Sequence, residues 1–219
     1  MQLLSLNVGV PREVEWQGKP VSTGIFKDPV AGSRRVRRLN IEGDGQADLT
    51  VHGGVEKAVY GYPAEHYDYW RQELPEVELS WGAFGENLTT LGLRETELCI
   101  GDRLRVGSAH LVVTQPRFPC FKLGIKFNDV GMVKRFLDSR RSGFYCAVEA
   151  EGEVQAGDGI DLLSRDPHGV TVDDIVRLYA VDKQDYDGMR RAIQVPDLAH
   201  GWREYFQERL DRVQHSTDP

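Results

Sequence analysis

Short alternating runs dominate the first three quarters of the chain. "LLSLNVG", "ELCIGDRLRV", "AHLVVTQ" and "FYCAVEA" are rich in β-branched, aromatic or alternating apolar residues, and each is bounded by Gly, Asp or Pro. That pattern predicts half-buried strands joined by tight turns. "IGDRLRVG" (residues 100–107) and "AGDGIDLLS" (residues 156–164) each set a Gly-Asp turn before an alternating strand, which predicts similar turns within one closed or nearly closed β structure. Two helices are expected to interrupt it. In "YPAEHYDYWRQEL", Pro63 suits a first helical residue, and Tyr67, Trp70 and Leu74 fall on one face. In "NDVGMVKRFLDSRRSG", Val133, Phe136 and Leu137 share a face and Gly143 reads as a stop.

The period changes after "SRDPHG". Thr171 and Asp174 have capping-box spacing, and Val172, Ile175, Val176 and Tyr179 follow in helical register. A second helix carries Tyr186, Met189 and Ile193, and a third carries Leu198, Trp202, Phe206, Leu210 and Val213. The expected organisation is a β-rich domain over residues 1–165 and a three-helix domain over residues 170–213. So small a bundle is expected to pack on the β structure.

Composition narrows the function. With 219 residues and a net charge of -7, non-specific nucleic-acid binding is disfavoured, because neutralising phosphates takes a clustered excess of cations. No apolar run approaches the roughly 20 residues of a membrane span, and "MQLLSLNVGVPREVEW" lacks the pattern of a secretory signal. Cys99, Cys120 and Cys146 are odd in number, widely spaced and without a C-x-x-C pair. A disulfide framework is therefore not expected, and a cytoplasmic, reducing location is.

"TQPRFPCFKLGIK" holds the one cysteine with cationic neighbours. Arg117 and Lys122 bracket Cys120, and cations near a thiol favour the thiolate that binds metals or attacks. Pro116 and Pro119 argue against regular structure there, which predicts a constrained loop. Local chemistry leaves a structural and a functional thiol both open. Cys99 and Cys146 sit in apolar strand patterns and read as core residues. "GDGQADLTVHGGVEKAVYGYP" sets Gly53 and Gly54 between His52 and Lys57, which suits an anion-binding concavity without the spacing of a Walker loop. "FGENLTT", with Glu86, Asn87 and Thr89, reads by itself as a turn. "SRRVRRL" offers Arg34, Arg35, Arg37 and Arg38, ordinarily a solvated face, with one arginine reaching a site as the lesser alternative.

Together, H-G-G-x-x-K (residues 52–57), G-E-N-L (residues 85–88), R-x-P-C-x-K-L (residues 117–123) and the terminal helices resemble the MOSC family, the domain named after the C-terminal part of molybdenum cofactor sulfurase. The resemblance is nearest to the bacterial branch with an appended three-helix domain, which includes hydroxylaminopurine reductases. It implies a closed or nearly closed β-barrel that binds the molybdenum cofactor, a pterin dithiolene bearing a phosphate. It implies Cys120 as catalytic residue and protein ligand to the metal, and His52, Gly53, Lys57, Asn87, Arg117 and Lys122 as cofactor contacts. A soft thiolate suits a metal already held by sulfur.

The implied activity is reduction of N-hydroxylated compounds, such as hydroxylaminopurine bases or amidoximes, to amines. Two electrons and two protons release the oxygen as water. The chain has no haem, iron–sulfur or dinucleotide motif of its own. The electrons are therefore expected from a separate, flavin-containing reductase. A stable nucleic-acid complex is not expected, and a homodimer is an open option. The competing readings are a carrier of cofactor or persulfide sulfur on Cys120 without turnover, and a binding module built on residues 33–39, which the net acidity disfavours.

Overall fold

A computed structural model describes residues 1–47 and 53–217, with side chains described to residue 214. The chain opens with β1 (Gln2–Val8), a hairpin of β2 (Arg12–Trp16) and β3 (Lys19–Thr23), and the short strands β4 (Asp28–Pro29), β5 (Arg34–Arg37) and β6 (Asn40–Ile41). A 3-10 turn at Val55–Lys57 leads into β7 (Val59–Pro63), α1 (His66–Glu73) and β8 (Leu88–Leu91). Next come β9 (Arg103–Val106), β10 (Ala109–Pro116), α2 (Phe121–Phe127), α3 (Met132–Ser139), β11 (Phe144–Ala150), β12 (Gly152–Val154) and β13 (Ile160–Ser164). The chain ends in α4 (Val172–Ala180), α5 (Tyr186–Ala192) and α6 (His200–Thr217).

Eight strands form the main sheet in the order β13-β9-β10-β11-β7-β8-β1-β4. Every pair is antiparallel except β7 with β8. The sheet is not closed into the expected barrel. One edge of β1 pairs with β8, while the other is divided between β4 at Asn7–Val8 and a single bridge from Gln2 to Gly159. Neither partner on that edge is long enough to make a continuous ladder. The echoing Gly-Asp turns do lead into neighbours: β9 and β13 pair directly, with Leu104 opposite Leu162.

Two packed clusters flank the sheet. One joins sheet residues such as Leu6, Leu104, Leu111 and Val113 to Val172, Ile175, Met189 and Phe206 of the C-terminal helices, so those helices share the sheet's core. The other gathers Tyr62, Tyr67, Trp70, Phe84 and Phe136 under α1 and α3. The helical expectations hold best where capping chemistry is explicit. Thr171 caps α4, its hydroxyl accepting from the Asp174 N–H, and Asp174 returns the bond to the Thr171 N–H.

Four local expectations need correction. Pro63 does not start α1; it ends β7, opposite Thr90 in the parallel register, and the helix begins three residues later. Gly143 does not stop α3, because Arg140 takes the left-handed conformation first, at φ 56°. Cys99 lies outside any strand ladder, in a turn held by the Asp102 carboxylate, which accepts from the Cys99 N–H at 3.0 Å and the Asp166 N–H at 3.0 Å. The segment around Cys120 is not irregular throughout. Pro116 still pairs with Phe144, and Cys120 immediately precedes α2. The prolines break the strand without preventing a helix five residues after Pro116.

Candidate functional site

The end of β10, the start of α2 and neighbouring strands converge on a cavity of about 100 Å³. Arg117 and Cys120 enter from the β10–α2 connection, Lys122 from the first turn of α2, Tyr60 from β7 and Tyr145 from β11. Lys57 comes from the 3-10 turn, Asn87 from the residue before β8, and Lys27 and Asp44 from loops. Gly24 and Gly45 line part of the wall with backbone. A Cβ on Gly24 would stand 2.5 Å from the Gly45 carbonyl oxygen, so two loops approach as closely as glycine permits.

Three kinds of polar group line this space. Lys27 and Asp44 form a buried ion pair, and Asp44 also accepts from the Gly9 N–H at 2.9 Å and the Asn87 amide at 2.9 Å. Burial pushes the Lys27 pKa down, against the attraction of Asp44. Asn87 is fully engaged: its amide also donates to the Asn7 carbonyl at 3.3 Å, and its oxygen accepts from the Tyr60 N–H at 3.1 Å. Asn87 therefore braces Asp44, Tyr60 and β1 together.

Arg117 differs. It is 6 % exposed, and its Nη1 has no hydrogen-bond partner among the described residues. The guanidinium lies 5.3 Å from the Tyr60 ring and 5.1 Å from the Phe136 ring. Burial alone would lower its pKa, but Tyr60, Tyr145 and the Cys120 thiol nearby outweigh that and hold it above the ordinary value. Burial raises the pKa of Tyr145, so its phenol is neutral. Lys122 is buried and lines the cavity. Cys120 is half-buried, with its thiol on the wall.

A buried cation with an unsatisfied donor is costly unless something anionic completes it. The donor set thus suits an anionic ligand that also offers a place for a soft thiolate, as a phosphate-bearing metal–pterin does. The described residues contain no cluster of three or more His, Cys, Asp or Glu side chains able to hold a metal by themselves. The residues fit the molybdenum cofactor.

Comparison with known proteins identifies the family. Residues 48–161 match the MOSC domain. The chain belongs to the MOSC family. Residues 170–212 match the YiiM-like 3-alpha helix domain. The chain is 43 % identical to YflK of Bacillus subtilis, covering 96 % of this chain and 95 % of that one. It is 37 % identical to YiiM of Escherichia coli, over 88 % and 86 %. A protein named reductase from Gibberella moniliformis is 37 % identical across 68 % of this chain, which corresponds to 27 % of that protein. Crystal structures of YiiM superpose closely: the Geobacillus stearothermophilus protein at TM-score 0.81, 34 % identity and coverage of 95 % and 98 %, and the Escherichia coli protein at 0.77, 30 %, 97 % and 94 %.

Of the site residues expected for this MOSC protein, Lys57, Asn87, Arg117, Cys120 and Lys122 meet in one cavity. Gly53 is half-buried and does not line it; His52 lies outside the described residues. Arg34, Arg35, Arg37 and Arg38 do not line it either. Arg35 and Arg37 pair with Glu151 and Glu42 on the exposed face of β5. Cys146 is buried in β11, its thiol pushed far up by burial, and Cys99 is buried beside Asp102. Sequence reasoning missed Lys27, Asp44 and Tyr145. Nothing in the spacing marks the first two, and Tyr145 reads as one more aromatic strand position. No helix among the described residues is long and apolar enough to cross a membrane.

Proposed function

We propose that this MOSC protein is a molybdenum-cofactor-dependent reductase of N-hydroxylated compounds, taking its electrons from a separate flavin-containing reductase. The observation that carries the reading is the unpartnered Arg117 Nη1 beside the half-buried Cys120 thiol in a cavity also lined by Lys57 and Lys122. Arg117 and the lysines would hold the anionic parts of the cofactor, and the Cys120 sulfur would ligate its metal. Lys27 and Asp44, paired with each other, would keep their part of the wall in place. When bound, the cofactor would supply the two-electron reduction of the N–O bond, so that a hydroxylamine with two electrons and two protons gives an amine and water, and an amidoxime gives an amidine and water. Tyr145, neutral and lining the same wall, keeps a phenolic O–H beside the thiol. The MOSC matches and the reductase-named relative support an oxidoreductase; a carrier of cofactor or sulfur would need no chamber for a second molecule next to the thiol, and one is present.

The test is expression in a host that makes the cofactor, elemental and pterin analysis, and an assay with an artificial electron donor and benzamidoxime. Wild-type protein should carry molybdenum and turn over. Cys120→Ala should lose at least ~100-fold in turnover, the scale for removing a group that acts on the reacting centre, while its circular dichroism is unchanged. Undiminished turnover in Cys120→Ala would remove the mechanism.

A further inference from the structure

A second chamber of about 470 Å³ lies on the far side of the cysteine. It shares Lys57, Phe118, Cys120 and Tyr145 with the cationic cavity, so both spaces meet at the thiol. Its distal wall belongs to the C-terminal helices: Tyr179 from α4, and Trp202 and Tyr205 from α6. These rings and Phe118 form a connected set. Phe118 is 4.7 Å from both Tyr179 and Trp202, and Tyr179 is 5.4 Å from both Trp202 and Tyr205. All four are half-buried, unlike the fully buried rings under α1 and α3, and so keep π faces and edges available.

The wall is pinned to the site rather than merely packed near it. The Ala199 N–H donates to the Thr114 carbonyl of β10 at 3.1 Å, and the His200 N–H donates to Glu56 Oε1 at 2.9 Å. Glu56 sits next to Lys57, and its own carbonyl accepts from the Thr114 hydroxyl at 2.6 Å. Gly201 adds an independent sign. Glycine is the poorest helix former after proline, yet it occupies the first turn of α6. Its φ is ordinary, and a Cβ there would meet nothing within 4 Å. No backbone constraint or close packing accounts for it. What a side chain at Gly201 would take is room in the chamber it lines.

We propose that the three-helix segment is the substrate-selecting element, and that this chamber takes the flat, uncharged aromatic part of the substrate while its N-hydroxyl group reaches the thiol side. Stacking and edge contacts with Trp202, Tyr179 and Phe118 favour aromatic over aliphatic N-hydroxylated compounds. The inference rests on the reductase reading for its catalytic consequence, but its binding consequence can be measured without turnover.

The experiment compares benzamidoxime with acetamidoxime. Binding is measured by calorimetry on the full chain purified without cofactor, and KM and kcat on the loaded enzyme. Gly201→Leu fills the chamber without deleting a contact, Trp202→Ala opens its wall, and Trp202→Phe restores a ring. Expected results are benzamidoxime binding by the wild-type chain, weakened at least ~10-fold by Gly201→Leu and Trp202→Ala, with Trp202→Phe within about threefold of wild type. KM for benzamidoxime should rise in parallel and by a larger factor than KM for acetamidoxime, while molybdenum content stays unchanged. Wild-type-like benzamidoxime affinity in Gly201→Leu overturns the proposal, as do equal losses for both compounds or no binding by the wild-type chain. If the loaded enzyme reduces neither compound and Gly201→Leu still abolishes binding, the reductase reading fails while the chamber's selectivity stands.

Discussion

Two buried ionisable side chains close to the same strands illustrate opposite uses of burial. Glu86, in the turn before β8, is wholly buried and fully satisfied. Its carboxylate accepts from the Tyr67 hydroxyl, the Gly82 N–H at 2.9 Å, the Phe84 N–H at 3.1 Å and the Thr89 hydroxyl at 2.9 Å. Arg117, just past β10, is nearly as buried and leaves Nη1 without a partner. A polar group whose bonds are all made inside the protein holds the fold. One held ready with a bond unmade stores an interaction for something that arrives later. Motif membership does not separate the two, since both lie in the sequence signatures of the family.

The largest effect should come from breaking the satisfied member. Glu86→Ala strips four donors of their acceptor and should cost about 3–5 kcal/mol in urea unfolding of the cofactor-free chain. A cost below ~1 kcal/mol would show that water replaces the carboxylate freely. Arg117→Met should do the reverse. Stability of the cofactor-free chain should stay within about 1 kcal/mol, since the lost ring contacts are offset by removing an uncompensated charge. Molybdenum and pterin content should nevertheless fall at least ~10-fold, the scale of one charge-assisted hydrogen bond. Normal loading of Arg117→Met would mean that the orphaned nitrogen serves something else.

A smaller effect sharpens the contrast through pH. Burial raises the Glu86 pKa above its ordinary 4.5, only partly opposed by the bond from Tyr67. A raised folded-state pKa means that the native state holds its proton more tightly than the unfolded chain does. The resulting stabilisation is fully present below about pH 4.5 and is lost as pH rises through the folded-state value. The stability of wild type minus that of Glu86→Gln should therefore decline as pH increases above 4.5. A difference independent of pH would show that the carboxyl group is ionised throughout. The smallest effect belongs to charges that are paired but exposed. Arg35→Ser and Arg37→Ser, half-exposed partners of Glu151 and Glu42, should each change stability by no more than ~0.5 kcal/mol and leave cofactor loading intact.

Much of the fold was legible wherever local chemistry leaves one solution. The run 144–150 became β11, and the Thr171–Asp174 box began α4 where its spacing said. Errors arose where long-range pairing overrode a local preference. Pro63 has the right chemistry to start a helix, but β8 recruits it into a parallel ladder. Seven residues containing Gly124 gave no helical signal, yet they form α2, which ends at a left-handed Asn128 with the Asp129 N–H donating to the Gly124 carbonyl at 3.0 Å.

The amino-acid sequence alone determined which residues are chemically able to serve: one thiol bracketed by cations, a Gly-rich stretch with Lys57, and a helical tail with an aromatic face. Those are properties of neighbours along the chain, and spacing reveals them. The tertiary structure decided which of them are left unfinished. That Asn87 has its amide spent, that Arg117 has not, that Lys27 and Asp44 pair in the cavity wall, and that Gly201 lines a chamber shared with Cys120 all depend on partners far apart in sequence. Hydrogen-bond satisfaction and free volume are set by what surrounds a side chain in space, and only the folded chain supplies those surroundings.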